Sequence, residues 1–170
     1  MIIDLASVGR EPKSLEASFG PADVELDEGV SVTGTTSFKG EVSRGSDERT
    51  TVRGHIAAKV TTDCSRCLEP VERSLEIDFE DIFVDAAKEP TDDELEIPTS
   101  DLDESLVTTP EIELAEVVRE QLVLATDEAV LCKEDCRGLC PKCGGNRNLI
   151  DCECADDDID PRWAALKNLN

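Results

Sequence analysis

Eight cysteines carry the chemistry that this sequence offers: Cys64, Cys67, Cys132, Cys136, Cys140, Cys143, Cys152 and Cys154. A thiolate serves as nucleophile, disulfide partner or soft metal ligand, and spacing separates these roles. Two Cys-x-x-Cys pairs, Cys64-Ser-Arg-Cys67 and Cys140-Pro-Lys-Cys143, bring thiols together on short loops. That suits a tetrahedral metal with Zn–S bonds of ~2.3 Å. Gly144, directly after the second pair, lets the chain turn where backbone N–H groups point at sulfur. Eight thiolates fill two four-ligand sites, so two zinc ions are expected. The shortest closure joins Cys140 and Cys143 to Cys152 and Cys154, whose i, i+2 spacing puts both sulfurs on one side of an extended chain. Cys64 and Cys67 then meet Cys132 and Cys136, the longer loop adding little closure entropy. Redox disulfides are the alternative for an even cysteine count. The Cys64–Cys67 pair also has redox spacing, but without the helix N-terminal setting that lowers thiol pKa in such motifs. With all eight thiols consumed as ligands, no coordination position is open for a catalytic water, and the metals read as structural staples.

The elements that must position these cysteines follow from periodicity. Val30, Val32, Thr36, Phe38 and Val42 share one parity, opposite Ser31, Thr33, Ser37, Lys39, Glu41 and Ser43. After the polar turn at 44–48, Val52, Ile56, Ala58 and Val60 alternate with Arg53, His55 and Lys59. Beyond Pro70, Val71, Leu75, Ile77, Phe79 and Phe83 face away from Glu72, Ser74, Glu76, Asp78 and Glu80. Three long strands joined by short turns predict an antiparallel sheet with one wet face. Shorter strands at Ile2–Leu5 and around Val24 are expected to extend it. Residues 85–108 lose the alternation and read as an acidic loop, with short strands near Leu95–Ile97 and Leu106–Val107. Glu76 to Glu104 holds 13 acidic residues and one lysine. Thr109-Pro110-Glu111 predicts a helix start with Thr109 as N-cap, running from about 110 to 125. Ile112, Ala115, Val118, Leu122 and Ala125 form its core stripe. A short terminal helix is expected after Asp160-Pro161, with Trp163, Leu166 and Leu169 on its apolar edge. The fold class is α+β: an antiparallel sheet with one packing helix and a cysteine-rich, zinc-binding C-terminal tail. Residues 1–130 form the core and residues 131–170 the knuckle and terminal helix.

Composition removes several function classes. The chain has 170 residues, 40 Asp+Glu against 17 Lys+Arg, and a net charge of −23. Such a surface repels polyanions and anionic lipid, which argues against broad DNA coating and membrane association. No stretch of about 20 apolar residues is present for a membrane span. Asp4 interrupts the first apolar run, so no secretory leader is expected and the compartment reads as cytoplasmic. The single histidine, His55, leaves no imidazole-rich centre. Neither a phosphate-cradling glycine loop nor a nucleophile elbow occurs. The reading is of a protein that is not an enzyme.

Cys64-Ser-Arg-Cys67-Leu, Cys136-Arg-Gly-Leu-Cys140-Pro-Lys-Cys143-Gly, Asn146-Arg-Asn148-Leu, Cys152-Glu-Cys154 and the closing Asp160-Pro-Arg-Trp-Ala-Ala-Leu together resemble the YceD family. These are small bacterial proteins, with plastid relatives, tied to accumulation of 23S ribosomal RNA. The resemblance spans most of the chain, its motifs lying in 56–84 and 111–170. Where that family usually shows Asn-Leu-Asn, this chain has a charged Arg147. Membership implies a role in large-subunit biogenesis, with a pre-large-subunit particle, through 23S rRNA or ribosomal proteins, as partner.

Charge placement suits an RNA contact in spite of the acidic total. Leu131 to Ile150 carries Lys133, Arg137, Lys142 and Arg147 against Glu134 and Asp135, and Arg66 adds to them. These five basic residues are the expected RNA-contact set, positioning the protein through phosphates. The alternative is a zinc-stabilised adaptor whose acidic surface binds a basic ribosomal or transcription-associated protein.

Overall fold

A computed structural model describes residues 1–27, 29–86, 102–126, 129–154 and 162. The chain opens with β1 (Ile2–Asp4), a 3₁₀ turn (Leu5–Ser7) and β2 (Lys13–Phe19). There follow β3 (Val30–Val32), β4 (Thr36–Arg44), β5 (Thr50–Asp63), β6 (Pro70–Asp85) and β7 (Glu104–Val107). β8 (Glu111–Glu113) runs directly into α1 (Leu114–Ala125). The main sheet has the order β2-β4-β5-β6-β7, with β3 also paired to β5. All its pairings are antiparallel except β6–β7, which is parallel. β7 therefore runs along the edge of β6 in the same direction and contains the strand expected at Leu106–Val107. The expected strand at Leu95–Ile97, most of the acidic loop, and the helix after Asp160-Pro161 lie outside the described residues.

The strand expected over 30–43 is interrupted. Val32 pairs with Val60 and Ser37 with Ala57, so four residues, 33–36, face only Ala58 and Lys59. Two extra residues make a bulge, turned by Gly34 at φ +82°. An even insertion preserves parity, which is why Val32, Thr36, Phe38 and Val42 still face one side and are buried. At the next pair in the sheet, Gly40 faces Gly54, and the Phe38 ring covers both: a Cβ on Gly54 would sit 2.6 Å from that ring. Phe38 then meets Phe79 with ring centroids 6.0 Å apart.

Three further expectations need correction. The helix begins at Leu114, not near 110, because Glu111–Glu113 is drawn into antiparallel pairing with Ile2–Asp4. Glu113 occupies the N-cap position without a side-chain cap bond, and Thr109 lies well outside the helix. The N-terminal strand therefore builds a separate two-stranded sheet with β8 and does not extend the main one. Around Val24 the chain forms a turn whose Val24 is nonetheless buried. β2 is a further strand beyond those expected, with Leu15, Ala17 and Phe19 alternating with Ser14, Glu16 and Ser18.

Leu114, Ala115, Val117, Val118 and Leu122 of α1 are buried and share a cluster with Val42, Val52, Ile56 and Leu75 from the sheet. Gln121 donates to both oxygens of Asp81 at 3.0 and 3.1 Å, tying β6 to the helix. Burial nonetheless holds the Asp81 carboxyl above its usual range. Arg119 ties the segment before β3 to the helix by donating to the Glu25 carbonyl at 2.9 Å. What matters for function is the long β5–β6 hairpin. Its far end, between Asp63 and Pro70, carries Cys64 and Cys67 and forms a second, separate buried cluster with Cys136.

Candidate metal centres

The turn that closes the β5–β6 hairpin is built around sulfur. The Cys64 N–H donates to the Glu69 carbonyl at 2.9 Å, and the Leu68 N–H donates back to the Cys64 carbonyl at 2.9 Å. The second Cys-x-x-Cys turn repeats this pattern. There the Cys140 N–H donates to the Gly145 carbonyl at 2.8 Å and the Gly144 N–H to the Cys140 carbonyl at 2.9 Å. Leu68 and Gly144 take the same left-handed conformation, with φ +60° and +70°. The chain thus holds two matched knuckles, although only the second has the glycine that announces one.

Each knuckle gathers two further thiols. Cys64, Cys67, Cys132 and Cys136 have their sulfurs within 4.8 Å of one another, and so do Cys140, Cys143, Cys152 and Cys154. These are the two groupings expected from spacing. Cys64 and Cys136 sulfurs lie 3.8 Å apart, and those of Cys67 and Cys132 3.6 Å. A tetrahedron with metal–sulfur bonds of ~2.3 Å has edges of ~3.8 Å, whereas a disulfide brings sulfurs to ~2.05 Å. The residues fit a four-thiolate metal ion, and all eight cysteines are free of disulfides. In the first cluster three of the four are buried; in the second, only Cys140 is.

Electrostatics point the same way. Burial pushes the Cys64 thiol up, but N–H groups of Arg66, Cys132 and Cys67 outweigh it and bring its pKa down to about 6. The Cys132 N–H, for example, reaches Cys64 Sγ at 3.3 Å. Cys140 also falls to about 6, drawn down by the N–H groups of Cys143 and Lys142. The last thiol of each set goes the other way. Cys132 is pushed up to about 12 by burial and then by Cys67 and Cys136, and Cys154 to about 12 by Cys143 and Cys140. Backbone dipoles thus hold some sulfurs as thiolates, whose charge resists ionisation of the rest. A divalent, thiophilic cation would supply the missing counter-charge.

Asn148, in the Asn-Arg-Asn run, is a site residue that spacing alone does not announce. It donates to Cys136 Sγ at 3.3 Å and is the main influence lowering that thiol's pKa. Gly138, between the clusters, is at φ +70° with its would-be Cβ 3.1 Å from the Arg66 carbonyl, so the chain passes close here.

The five basic residues are distributed unequally. Arg66 is exposed on the first knuckle and donates to the Cys136 carbonyl at 3.0 Å. Lys142, also exposed, holds the corresponding position on the second knuckle, the residue before its second cysteine. Arg137 pairs with Asp151 at 3.0 Å and Lys133 with Asp135 at 3.9 Å, which offsets their charge locally. Arg147 is half-buried, its N–H donating to the Gly138 carbonyl at 2.9 Å. Among the described residues no helix is long and apolar enough to cross a membrane.

Comparison with known proteins places these features. A family model described as Large ribosomal RNA subunit accumulation protein YceD matches residues 52–170, from β5 through both cysteine clusters. The Mycobacterium tuberculosis protein Rv2926c is 27% identical over an alignment covering 99% of this chain and 81% of the relative. YlbN of Bacillus subtilis is 29% identical, with 85% of this chain and 87% of YlbN covered. An Arabidopsis thaliana protein named Large ribosomal RNA subunit accumulation protein YCED homolog 1, chloroplastic, is 32% identical over 59 residues, which are 35% of this chain and 18% of the relative. No solved structure matches.

Proposed function

The chain belongs to the YceD family, and on that premise we propose that it acts in the cytoplasm as a non-enzymatic factor for 23S rRNA accumulation, contacting the pre-large-subunit particle through its knuckle face. Zinc fills both cysteine clusters in this reading. It supplies no reaction chemistry; it cross-links the tail to the sheet and gives the thiolates their counter-charge. The chain's own residues do the recognition. The observation that carries the reading is the matched pair of knuckles, each with a basic residue, Arg66 or Lys142, just before its second cysteine. Arg147 adds a third cation from the loop behind them. Such short cationic turns on a rigid base suit phosphate contacts to folded RNA, which position a protein without requiring stacked aromatics.

The acidic sheet face supports the second reading, an adaptor for a basic ribosomal or transcription-associated protein. Glu72, Glu76 and Glu80 stand exposed along β6, with Asp78 beside them. The test is complementation of cells lacking the protein, at matched expression. A variant with Lys142→Glu and Arg147→Glu is expected to fold but leave 23S rRNA low relative to 16S. A normal 23S level in that variant, with a low one after neutralising Asp92, Asp93 and Glu94, would favour the adaptor.

A further inference from the structure

Asn148 stands between the two clusters. It belongs to the loop between Cys143 and Cys152, so its position depends on closure of the second cluster, yet its amide donates to Cys136 Sγ of the first at 3.3 Å. The remainder of the side chain is held. Its Oδ1 accepts from the Arg137 N–H at 3.0 Å, and its Nδ2 also donates to Asn146 Oδ1 at 2.9 Å. The Asn148 N–H donates to that same oxygen at 2.9 Å. One amide end faces a donor and the other faces two acceptors, which fixes the amide's orientation. Asn146 reaches on to Glu69, beside the first knuckle, at 3.1 Å. The link between the clusters is short and clamped too: Leu139 N–H donates to the Arg66 carbonyl at 2.9 Å, and Gly138 carbonyl accepts from Arg147 N–H at 2.9 Å.

Building on the zinc reading above, we propose that Asn148 couples the two metal sites, so that filling the Cys140/Cys143/Cys152/Cys154 site raises the affinity of the Cys64/Cys67/Cys132/Cys136 site. With the second site empty, the loop over 144–151 loses its closure at Cys152, and the donor to Cys136 is no longer held in place. A metal-bound thiolate then loses an outer hydrogen bond that offsets its charge. By linkage the effect is reciprocal: metal in the first site favours metal in the second. Removing an outer-shell partner of a metal ligand costs about 10–100-fold in affinity, which sets the expected size of the coupling.

The test uses the full reduced chain, stripped of metal and loaded with cadmium-113 in competition with a chelator. Each site gives its own resonance, and a Cys152→Ser/Cys154→Ser variant assigns them. That variant is expected to retain the first site with affinity lowered about 10–100-fold. Asn148→Ala is expected to lower first-site affinity by a similar factor with all eight cysteines present. Adding Asn148→Ala to the serine pair is expected to cause no further loss, the non-additivity that marks a shared route. Asn148→Asp keeps the shape but sets a carboxylate against a thiolate, and is expected to weaken the first site more than alanine does. Unchanged first-site affinity in Asn148→Ala, or additive losses, overturns the coupling and leaves the two-site reading standing. Failure of the wild-type chain to bind any cadmium overturns the metal reading itself.

Discussion

Leu68 and Gly144 occupy the same place in two turns of identical hydrogen-bond pattern, each N–H donating at 2.9 Å to the carbonyl of the first cysteine of its knuckle. A left-handed residue with a side chain costs about 1–2 kcal/mol, and glycine avoids that cost. Space around Gly144 is open, with nothing within 4 Å of a would-be Cβ. Gly144→Ala is therefore expected to destabilise the zinc-loaded protein by about 1–2 kcal/mol through backbone conformation alone. Leu68→Gly relieves the same cost while adding chain entropy of about 0.5–1 kcal/mol to the unfolded state, so it is expected to be neutral or mildly stabilising. Thermal unfolding of both variants checks this; a silent Gly144→Ala together with a damaging Leu68→Gly would contradict the equivalence of the two turns.

The clusters have different structural jobs. Cys64 is fully buried at the end of the β5–β6 hairpin and shares a packed cluster with Cys136, so that site anchors the tail to the sheet. Cys152 is half-exposed and closes a local loop. Cys64→Ser is expected to cost more than about 4 kcal/mol, the range reached when a structural metal is lost. Cys152→Ser is expected to loosen the knuckle while the sheet keeps its amide protection. Hydrogen exchange across β5 and β6 separates the two outcomes, and elemental analysis of native protein is expected to give two zinc ions per chain. Equal, small effects from both substitutions would contradict the division of labour.

His55 offers a pH probe, being the single histidine of the chain. Its Nδ1 meets Asp78 and its Nε2 meets Glu76, each at 2.8 Å, and these two carboxylates raise its pKa above the usual 6.5. With the folded pKa above the unfolded one, its contribution to stability is complete below about pH 6.5 and fades as pH rises through the folded pKa. The imidazole proton resonances are expected to titrate above pH 6.5 and to move down toward it in Asp78→Asn. A midpoint at or below 6.5 in the wild-type chain would contradict the bridge.

Much of this architecture is legible locally. Alternation marks β5 and most of β6 because Val52, Ile56, Val60 and Leu75 are large, apolar and turned inward, while Arg53, His55, Lys59, Ser74 and Glu76 beside them are polar. β2 is quieter: its inner residues include the small Ala17 and the half-buried Leu15, so the same alternation carries less weight. Glu111–Glu113 reads as a first helical turn until Ile2–Asp4 is placed against it, and no local pattern announces that long-range pairing. The cysteine groupings are readable because short closure and i, i+2 geometry are local facts. The first knuckle is harder, since Leu68 stands where glycine would signal a left-handed turn. Asn148 is harder still: its importance lies in a contact with Cys136, 12 residues away, that only the folded loop creates.

In-cell ultraviolet crosslinking of the tagged protein, with the captured RNA sequenced and captured proteins identified, tests the proposed RNA contact most directly. Crosslinks to 23S rRNA or its precursor are expected, formed at the knuckle face and lost when Lys142→Glu and Arg147→Glu are combined. Each phosphate contact removed is also expected to make the salt dependence of binding shallower by about one unit of slope. Crosslinks to ribosomal proteins alone, unchanged by the double reversal, would contradict recognition of RNA through this face.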